Sequence, residues 1–266
     1  MKMSYFPGCT LKNTAKELDI YARRSAEALG VTLEEVDDFQ CCGGVFTSSK
    51  DEVVTKLASV RVLKAALSKN QPLVTVCSAC HNVVKQTNFA MQTDGEFSDK
   101  VNRFMAEENA YHGETEVLHL LEVLRDVVGF DTLRGKVKNP LSGKKIAAYY
   151  GCLLLRPHAV LELDDPENPR IMEDMLLSLG AEPVSWASRN ECCGGYVVLE
   201  NPDFAKKRSR DVLRNAKAQG AEMIVTACPL CRYNLEKNGS QIPVVYFTEL
   251  LAEALGVKED SDGKDE

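Results

Sequence analysis

Apolar and β-branched residues concentrate in six short runs: Lys2 to Phe6, Thr32 to Val36, Leu73 to Val76, Lys145 to Tyr150, Pro183 to Trp186 and Met223 to Thr226. Runs this short, set between polar and turn-forming residues, predict strands. Between them the apolar positions recur three and four residues apart. Leu18, Ala22, Ser25 and Leu29 share one helical face, and Val53, Leu57, Val60, Leu63 and Leu67 form a longer stripe. Asn201 and Pro202 read as the N-cap and first position of another helix. Strands that alternate with helices pair in parallel through right-handed crossovers, which gathers the strand carboxyl ends along one edge. Ligand sites of open α/β sheets form at that edge.

The pattern occurs twice. "MSYFPGC" answers "IAAYYGC", "LVTVCSAC" answers "MIVTACPLC", and "QCCGGVFT" (Gln40 to Thr47) answers "ECCGGYVV" (Glu191 to Val198). The stretches "TEVLHLLEVLRDVVG" and "IPVVYFTELLAEALG" close the two halves. A seam within Lys136 to Lys145 divides the chain into two tandem duplicated α/β domains with parallel-type sheets, residues 1–140 and 141–257. The tail over 258–266 is charged, lacks apolar residues and is expected to be disordered. Residues 87–113 have no equally long counterpart. Their mostly helical pattern reads first as a packed excursion and second as a cover for the site or a partner contact.

Composition narrows the class. At 266 residues with 44% hydrophobic and 27% charged positions, this is an ordinary globular chain with material for a large core. A net charge of -7 leaves no basic footprint for nucleic acid and disfavours anionic membrane surfaces. The longest apolar run, around Ile146 to Leu155, is about half of the ~20 residues a membrane-spanning helix needs. The start lacks an apolar export segment, so a cytoplasmic protein is expected.

The chemistry lies in ten cysteines, Cys9, Cys41, Cys42, Cys77 and Cys80 in the first half and Cys152, Cys192, Cys193, Cys228 and Cys231 in the second. In both halves 34 residues separate the adjacent pair from the Cys-x-x-Cys. A disulfide framework fits poorly, since each half holds an odd number. The Cα atoms of Cys41 and Cys42, held ~3.8 Å apart by a trans peptide, are also closer than disulfides usually allow. Zinc suits the two Cys-x-x-Cys spacings but saturates with four thiolates, leaving a fifth cysteine over in each half. A thioredoxin-like dithiol needs only two. An iron–sulfur cluster accepts thiolates at several irons and can use all five, with the adjacent pair at one part of it. Gly43-Gly44 and Gly194-Gly195 give the backbone freedom to bend there.

These motifs, "C…QCCGG…CSACHN" and "C…ECCGG…CPLCRYNL", resemble the paired cysteine-rich CCG domains of the B subunit of heterodisulfide reductase, over Lys2 to about Gly256. The resemblance implies a noncubane 4Fe-4S cluster in each domain, the first on Cys9, Cys41, Cys42, Cys77 and Cys80 and the second on Cys152, Cys192, Cys193, Cys228 and Cys231. It further implies a catalytic subunit that cleaves a disulfide between the two clusters, the coenzyme M–coenzyme B heterodisulfide by family. A ferredoxin-like C subunit and a flavin-bearing A subunit would be its partners. The chain has no ferredoxin-type cysteine run or dinucleotide-binding glycine motif of its own, so electrons must arrive from outside. Three other readings stay open: a bacterial relative acting on a protein-borne disulfide or sulfur carrier, a non-catalytic electron-transfer module, and a zinc-stabilised scaffold.

No catalytic side chain is assigned. His81 and Arg232 each follow a Cys-x-x-Cys and are candidates either for contact with cluster sulfur or an anionic substrate, or for a helix surface. His119 reads as core, and His112 as loop. Arg156-Pro157-His158 opens the segment in which the second half is longer, as a surface insertion or a lining of the cleft.

Overall fold

The computed structural model describes residues 1–37, 40–44, 53–106 and 108–258. The tail over 259–266 and positions 45–47 at the end of the first CCGG repeat lie outside the described residues. In chain order the first half runs β1 (Lys2–Phe6), α1 (Cys9–Asn13), α2 (Lys16–Ala28), β2 (Thr32–Glu35), α3 (Val53–Ser68), β3 (Leu73–Thr75), α4 (Ser78–Thr93), α5 (Gly95–Phe104) and β4 (Val117–His119). It ends with α6 (Leu120–Glu122), which continues as a π-helical turn (Val123–Val128), and α7 (Phe130–Lys136). The second half runs β5 (Lys145–Tyr149), α8 (His158–Leu161), α9 (Ile171–Ser178), β6 (Glu182–Pro183), α10 (Pro202–Ala218), β7 (Met223–Thr226), α11 (Pro229–Asn238), β8 (Val244–Tyr246) and α12 (Phe247–Leu255).

Each half forms a four-stranded, all-parallel sheet, in the order β2-β1-β3-β4 and β6-β5-β7-β8. Register matches across the halves: Ser4 pairs with Leu73 and Leu73 with Val117 in the first, Ile146 with Met223 and Ile224 with Val244 in the second. This is the expected α/β class, with the duplication carried through to strand order.

The period of two along the inner strands assigns their side chains to different cores. Met3, Tyr5, Val74 and Val76 of the first half join Ile146, Ala148, Tyr150, Val225 and Ala227 of the second in one shared core. Phe6 and Leu73 turn instead to an outer core with Val60, Leu63, Val83 and Val101, and Ala147, Tyr149 and Ile224 to another with Val212, Leu213 and Leu235. Each sheet is thus buried on both faces, which is why its strands read as near-continuous apolar runs. The terminal helix of the second half crosses to the first: α12 packs on α2, and Thr248 Oγ1 donates to the Leu18 carbonyl at 3.1 Å.

Several expectations are refined. The sequence pattern does not single out β4 and β8, because each is a three-residue edge strand that runs straight into a helix and shares that helix's apolar period. The run from Pro183 to Trp186 contributes only its first residue to a strand, since β6 is an edge and Pro183 has no N–H to donate. In α3, Val60 and Leu63 are buried as expected, but Leu67 is exposed; small Ser59 and Ala66 complete the packed face. Asn201 caps α10 by accepting from the Phe204 N–H. Residues 87–113 pack, with Met91, Val101, Met105 and Tyr111 inside the first outer core.

Tyr246 ties the halves together, since its hydroxyl reaches the carbonyls of Val76 at 2.5 Å and Ala227 at 3.0 Å, both buried. Tyr246→Phe takes away the hydroxyl that bridges these two carbonyls without changing the packing volume, and leaves Ala227 with its bonds from Ser78. It is expected to cost about 1–3 kcal/mol in urea unfolding, whereas Tyr233→Phe on the surface of α11 should leave the midpoint nearly unchanged.

Candidate metal centres

The strand order places a reversal of direction between the first and third strand of each sheet, the position where crossovers leave a crevice at the carboxyl ends. The cysteines occupy it. Cys9 opens α1 just past β1, Cys77 is the N-cap of α4, and Cys80 lies in that helix's first turn. Cys152 follows β5, Cys228 is the N-cap of α11 and Cys231 lies in its first turn. The adjacent pairs arrive from the edge strands, Cys41-Cys42 after β2 and Cys192-Cys193 after β6 and a short 3-10 turn (Ala187–Asn190).

Two backbone positions before the single cysteines favour glycine by conformation and by space. Gly8 has φ +82°, and a Cβ there would lie 2.7 Å from Cys80 Sγ. Gly151, with φ +64°, would carry its Cβ 3.3 Å from Cys231 Sγ. The close approach of chain to sulfur is therefore built into both halves.

The sulfurs neighbour one another in the same sequence in each half. In the first, Cys42 and Cys80 are in hydrogen-bond contact at 3.5 Å, while Cys41 perturbs Cys42 and is perturbed by Cys9, and Cys77 perturbs Cys80. In the second, Cys193 and Cys231 are in hydrogen-bond contact at 3.5 Å, while Cys192 perturbs Cys152 and Cys193, and Cys228 perturbs Cys231. All ten are free thiols, and the inner three of each set are buried. Among the described residues no three His, Cys, Asp or Glu side chains surround one point as ligands of a lone metal ion would. A polynuclear centre draws instead on a donor set spread over several metal atoms.

Crowding makes these sets electrostatically incomplete. Hydrogen bonds from Cys41 and Cys80 hold the Cys42 thiol down at about 3, and those from Cys152 and Cys193 hold Cys192 at about 2. The neighbours shift in the other direction: Cys41 and Cys152 are pushed far up, each first by its bond to the ionised partner, and Cys193 to about 12 by its bond to Cys192. Cys228 is lowered as well, first by its bond from Cys231, while Cys80 and Cys231 are pushed up by their sulfur neighbours, so ionisation of a whole set needs a cationic centre among the sulfurs. Five thiols around one crevice with this demand fit a polynuclear metal cluster.

The two sets meet at the seam of the halves. Ser78 donates to the Ala227 carbonyl through its N–H at 3.1 Å and its hydroxyl at 2.8 Å, so the Cys77 and Cys228 loops abut. Asn82 extends the junction with bonds of 2.8 Å to the carbonyls of both Leu153 and Arg156. Ser78 and Tyr196 border the same cavity as all five cysteines of the second set. Tyr196 and the cation Lys56, buried where it feels the charge of Cys42, escaped the sequence reading; only the match of Tyr196 with Val45 in the repeat could have flagged the former.

His81 is fully buried, its Nδ1 3.1 Å from Thr75 Oγ1 and its Nε2 3.7 Å from Glu122 Oε2, so it is neither a helix-surface residue nor open to an anionic substrate. Arg232 engages carboxylates, Glu236 at 3.1 Å and Glu249 at 3.0 Å. The arrangement is repeated: Glu122 accepts from the His119 N–H and faces His81, and Glu249 accepts from the Tyr246 N–H and faces Arg232. His119 is core, as expected, with burial pushing it down to about 3. His112 is exposed. Arg156 ties its insertion down through the Asn190 carbonyl and Glu167 while Leu154, Leu155, Leu161 and Leu163 pack beneath, and His158 is exposed.

The cysteine-rich domain family termed CCG matches the chain twice, over residues 3–85 and 146–236. The chain is 33% identical to the 8-methylmenaquinol:fumarate reductase membrane anchor subunit of Wolinella succinogenes, covering 96% of this chain and 93% of that protein. It is 28% identical to the B subunit of the ferredoxin/F(420)H(2)-dependent CoB-CoM heterodisulfide reductase of Methanosarcina acetivorans, covering 98% and 92%. In fold it resembles a crystal structure of a hypothetical protein from Helicobacter pylori, with a TM-score of 0.75 at 12% identity, over 97% of this chain and 49% of that one. Among the described residues no helix is long and apolar enough to cross a membrane.

Gly8→Ala is expected to displace the Cys80 sulfur, lowering the thermal midpoint and raising alkylation of Cys80 by iodoacetamide. Gly30→Ala supplies the control, because Gly30 has φ +83° with nothing within 4 Å of an added Cβ and so reports backbone strain alone.

Proposed function

The chain belongs to the cysteine-rich CCG family, with the domain present twice, and from this we propose that it is the disulfide-cleaving redox component of a larger cytoplasmic complex. Its units are residues 1–140 and 141–257. Cys9, Cys41, Cys42, Cys77 and Cys80 hold one 4Fe-4S cluster of the noncubane type, and Cys152, Cys192, Cys193, Cys228 and Cys231 hold the other. The observation that carries the reading is the layout of the sulfurs: two five-thiol runs in the same order, abutting where Ser78 bonds Ala227.

When bound, two such clusters supply one electron each, matching the two that a disulfide takes up. The chain's own residues do the rest. The Cys-x-x-Cys helices α4 and α11 present their N-termini to the sulfurs, where the backbone N–H groups and the helix dipole favour negative charge. Ser209 and Asn234 hold the Cys193 carbonyl at 3.0 and 2.7 Å, fixing the adjacent pair against α10 and α11. Leu153, Leu230 and Tyr150 keep water from the second site. The substrate in this reading is the heterodisulfide of coenzyme M and coenzyme B, and the electrons come from ferredoxin-like and flavin-bearing partners. Relatives named as components of such reductases support it.

A second reading has its own support in the 33% identity to a component of a quinol:fumarate reductase, higher than that to the heterodisulfide reductase relatives. Here the same two centres relay electrons between a quinol and a partner protein.

The test is iron and sulfide analysis with EPR on anaerobically purified protein. About eight irons per chain are expected from two four-iron clusters. A new paramagnetic signal on adding the coenzyme M thiol under oxidising conditions supports disulfide chemistry, reduction by a menaquinol analogue without such a signal supports the relay, and zinc without iron overturns both. Cys42→Ser is expected to remove about half of the iron while the second centre keeps its spectrum; an unchanged iron content would sink the five-ligand assignment.

A further inference from the structure

Tyr196 lines the cavity of the second sulfur set, with no part in the ligand set. It sits in a 3-10 turn (Gly195–Val197), borders the cavity with Cys152, Cys192, Cys193, Cys228 and Cys231, and yet remains 41% exposed. The turn beneath it is wedged between two helices. A Cβ at Gly194, where φ is +82°, would lie 2.9 Å from Ala205 Cα on α10, and one at Gly195 would lie 3.1 Å from Leu230 Cγ on α11. A backbone braced this closely aims the ring by construction, without a mobile loop.

The ring borders the second sulfur set beside Ser78 of the first half. Burial first, and then negative charge on Cys228, Cys77, Cys152 and Cys42, push its phenol up, so cysteines of either half lie within its field. The CCGG loop itself does not require the residue, since the matching position in the first repeat is Val45. Around it the wall is apolar, formed by Tyr150, Leu153 and Leu230, with Ser78 the hydroxyl contributed by the first half.

We propose that Tyr196 is the access-determining residue of the seam, whose ring shields the second sulfur set from solvent and admits only a narrow thiol or disulfide end with an uncharged shaft. The ligand class rests on the function proposed above; the shielding does not.

The experiment compares wild type, Tyr196→Phe, Tyr196→Ala and, as a surface control, Leu199→Ala, whose side chain is 99% exposed. On anaerobic protein as purified, the readout is the rate of iron release to bathophenanthroline disulfonate. Tyr196→Ala is expected to release about half of the iron about tenfold faster, with Tyr196→Phe and Leu199→Ala at the wild-type rate. A wild-type rate in Tyr196→Ala overturns the proposal.

If the protein carries no iron, the cluster reading fails and the proposal is still decided, by mass-spectrometric alkylation rates of Cys152 and Cys192 with iodoacetamide. Faster modification of these two in Tyr196→Ala supports it, and equal rates overturn it. Should Tyr196→Ala unfold, shown by all ten cysteines reacting alike, Tyr196→Trp replaces it. The larger ring is expected to slow release or alkylation below wild type, and no slowing overturns the proposal.

Discussion

Two parallel sheets bury their facing sides in one shared core, and this constraint decides where everything else lies. A sheet built from βαβ crossovers must cover both faces, and here each half covers one face with its own helices and the other partly with its partner's. Met3, Tyr5, Val74 and Val76 meet Val225 and Ala227 in that common core, and α12 closes over α2. With the sheets so joined, the carboxyl ends of their central strands converge. The two Cys-x-x-Cys loops are left in contact through Ser78, Ala227 and Tyr246.

Convergence has an electrostatic cost that defines the chemistry. In each crowded set some thiols ionise readily, Cys42 in the first and Cys192 and Cys228 in the second, and these oppose the ionisation of neighbours such as Cys41 and Cys152. A set of structural cysteines packed for bulk alone would gain nothing from this arrangement, and both halves share it. The helix N-termini at Cys77 and Cys228 add partial positive charge without satisfying the whole set.

Duplication has not left the halves identical. The residue after each Cys-x-x-Cys faces a glutamate that also caps the following helix. In the second half it is Arg232, paired at 3.0 Å. In the first it is His81, 3.7 Å from Glu122 and held toward the neutral form by burial. The second site therefore has a fixed cation behind it where the first has a buried imidazole. Tyr196, where the first repeat carries Val45, adds a further difference in sequence. The two duplicated sulfur sets therefore stand in different electrostatic surroundings.

The sequence by itself determined the duplication, the parallel α/β class, the helix stripes and the ten cysteines with their grouping. Each of these is written in local periodicity or spacing: a period of two or of 3.6, Asn201-Pro202 at a helix start, 34 residues between pair and Cys-x-x-Cys in both halves. Only the tertiary structure decided what depends on contacts between distant segments. The edge strands Val117–His119 and Val244–Tyr246 exist because β3 and β7 offer them partners, and three residues are too few to announce themselves. The interior place of His81, the shared core and the position of Tyr196 beside Ser78 at the second sulfur set follow from how two sheets pack. No local pattern encodes that packing, because its energy comes from surfaces that meet only once the chain has folded.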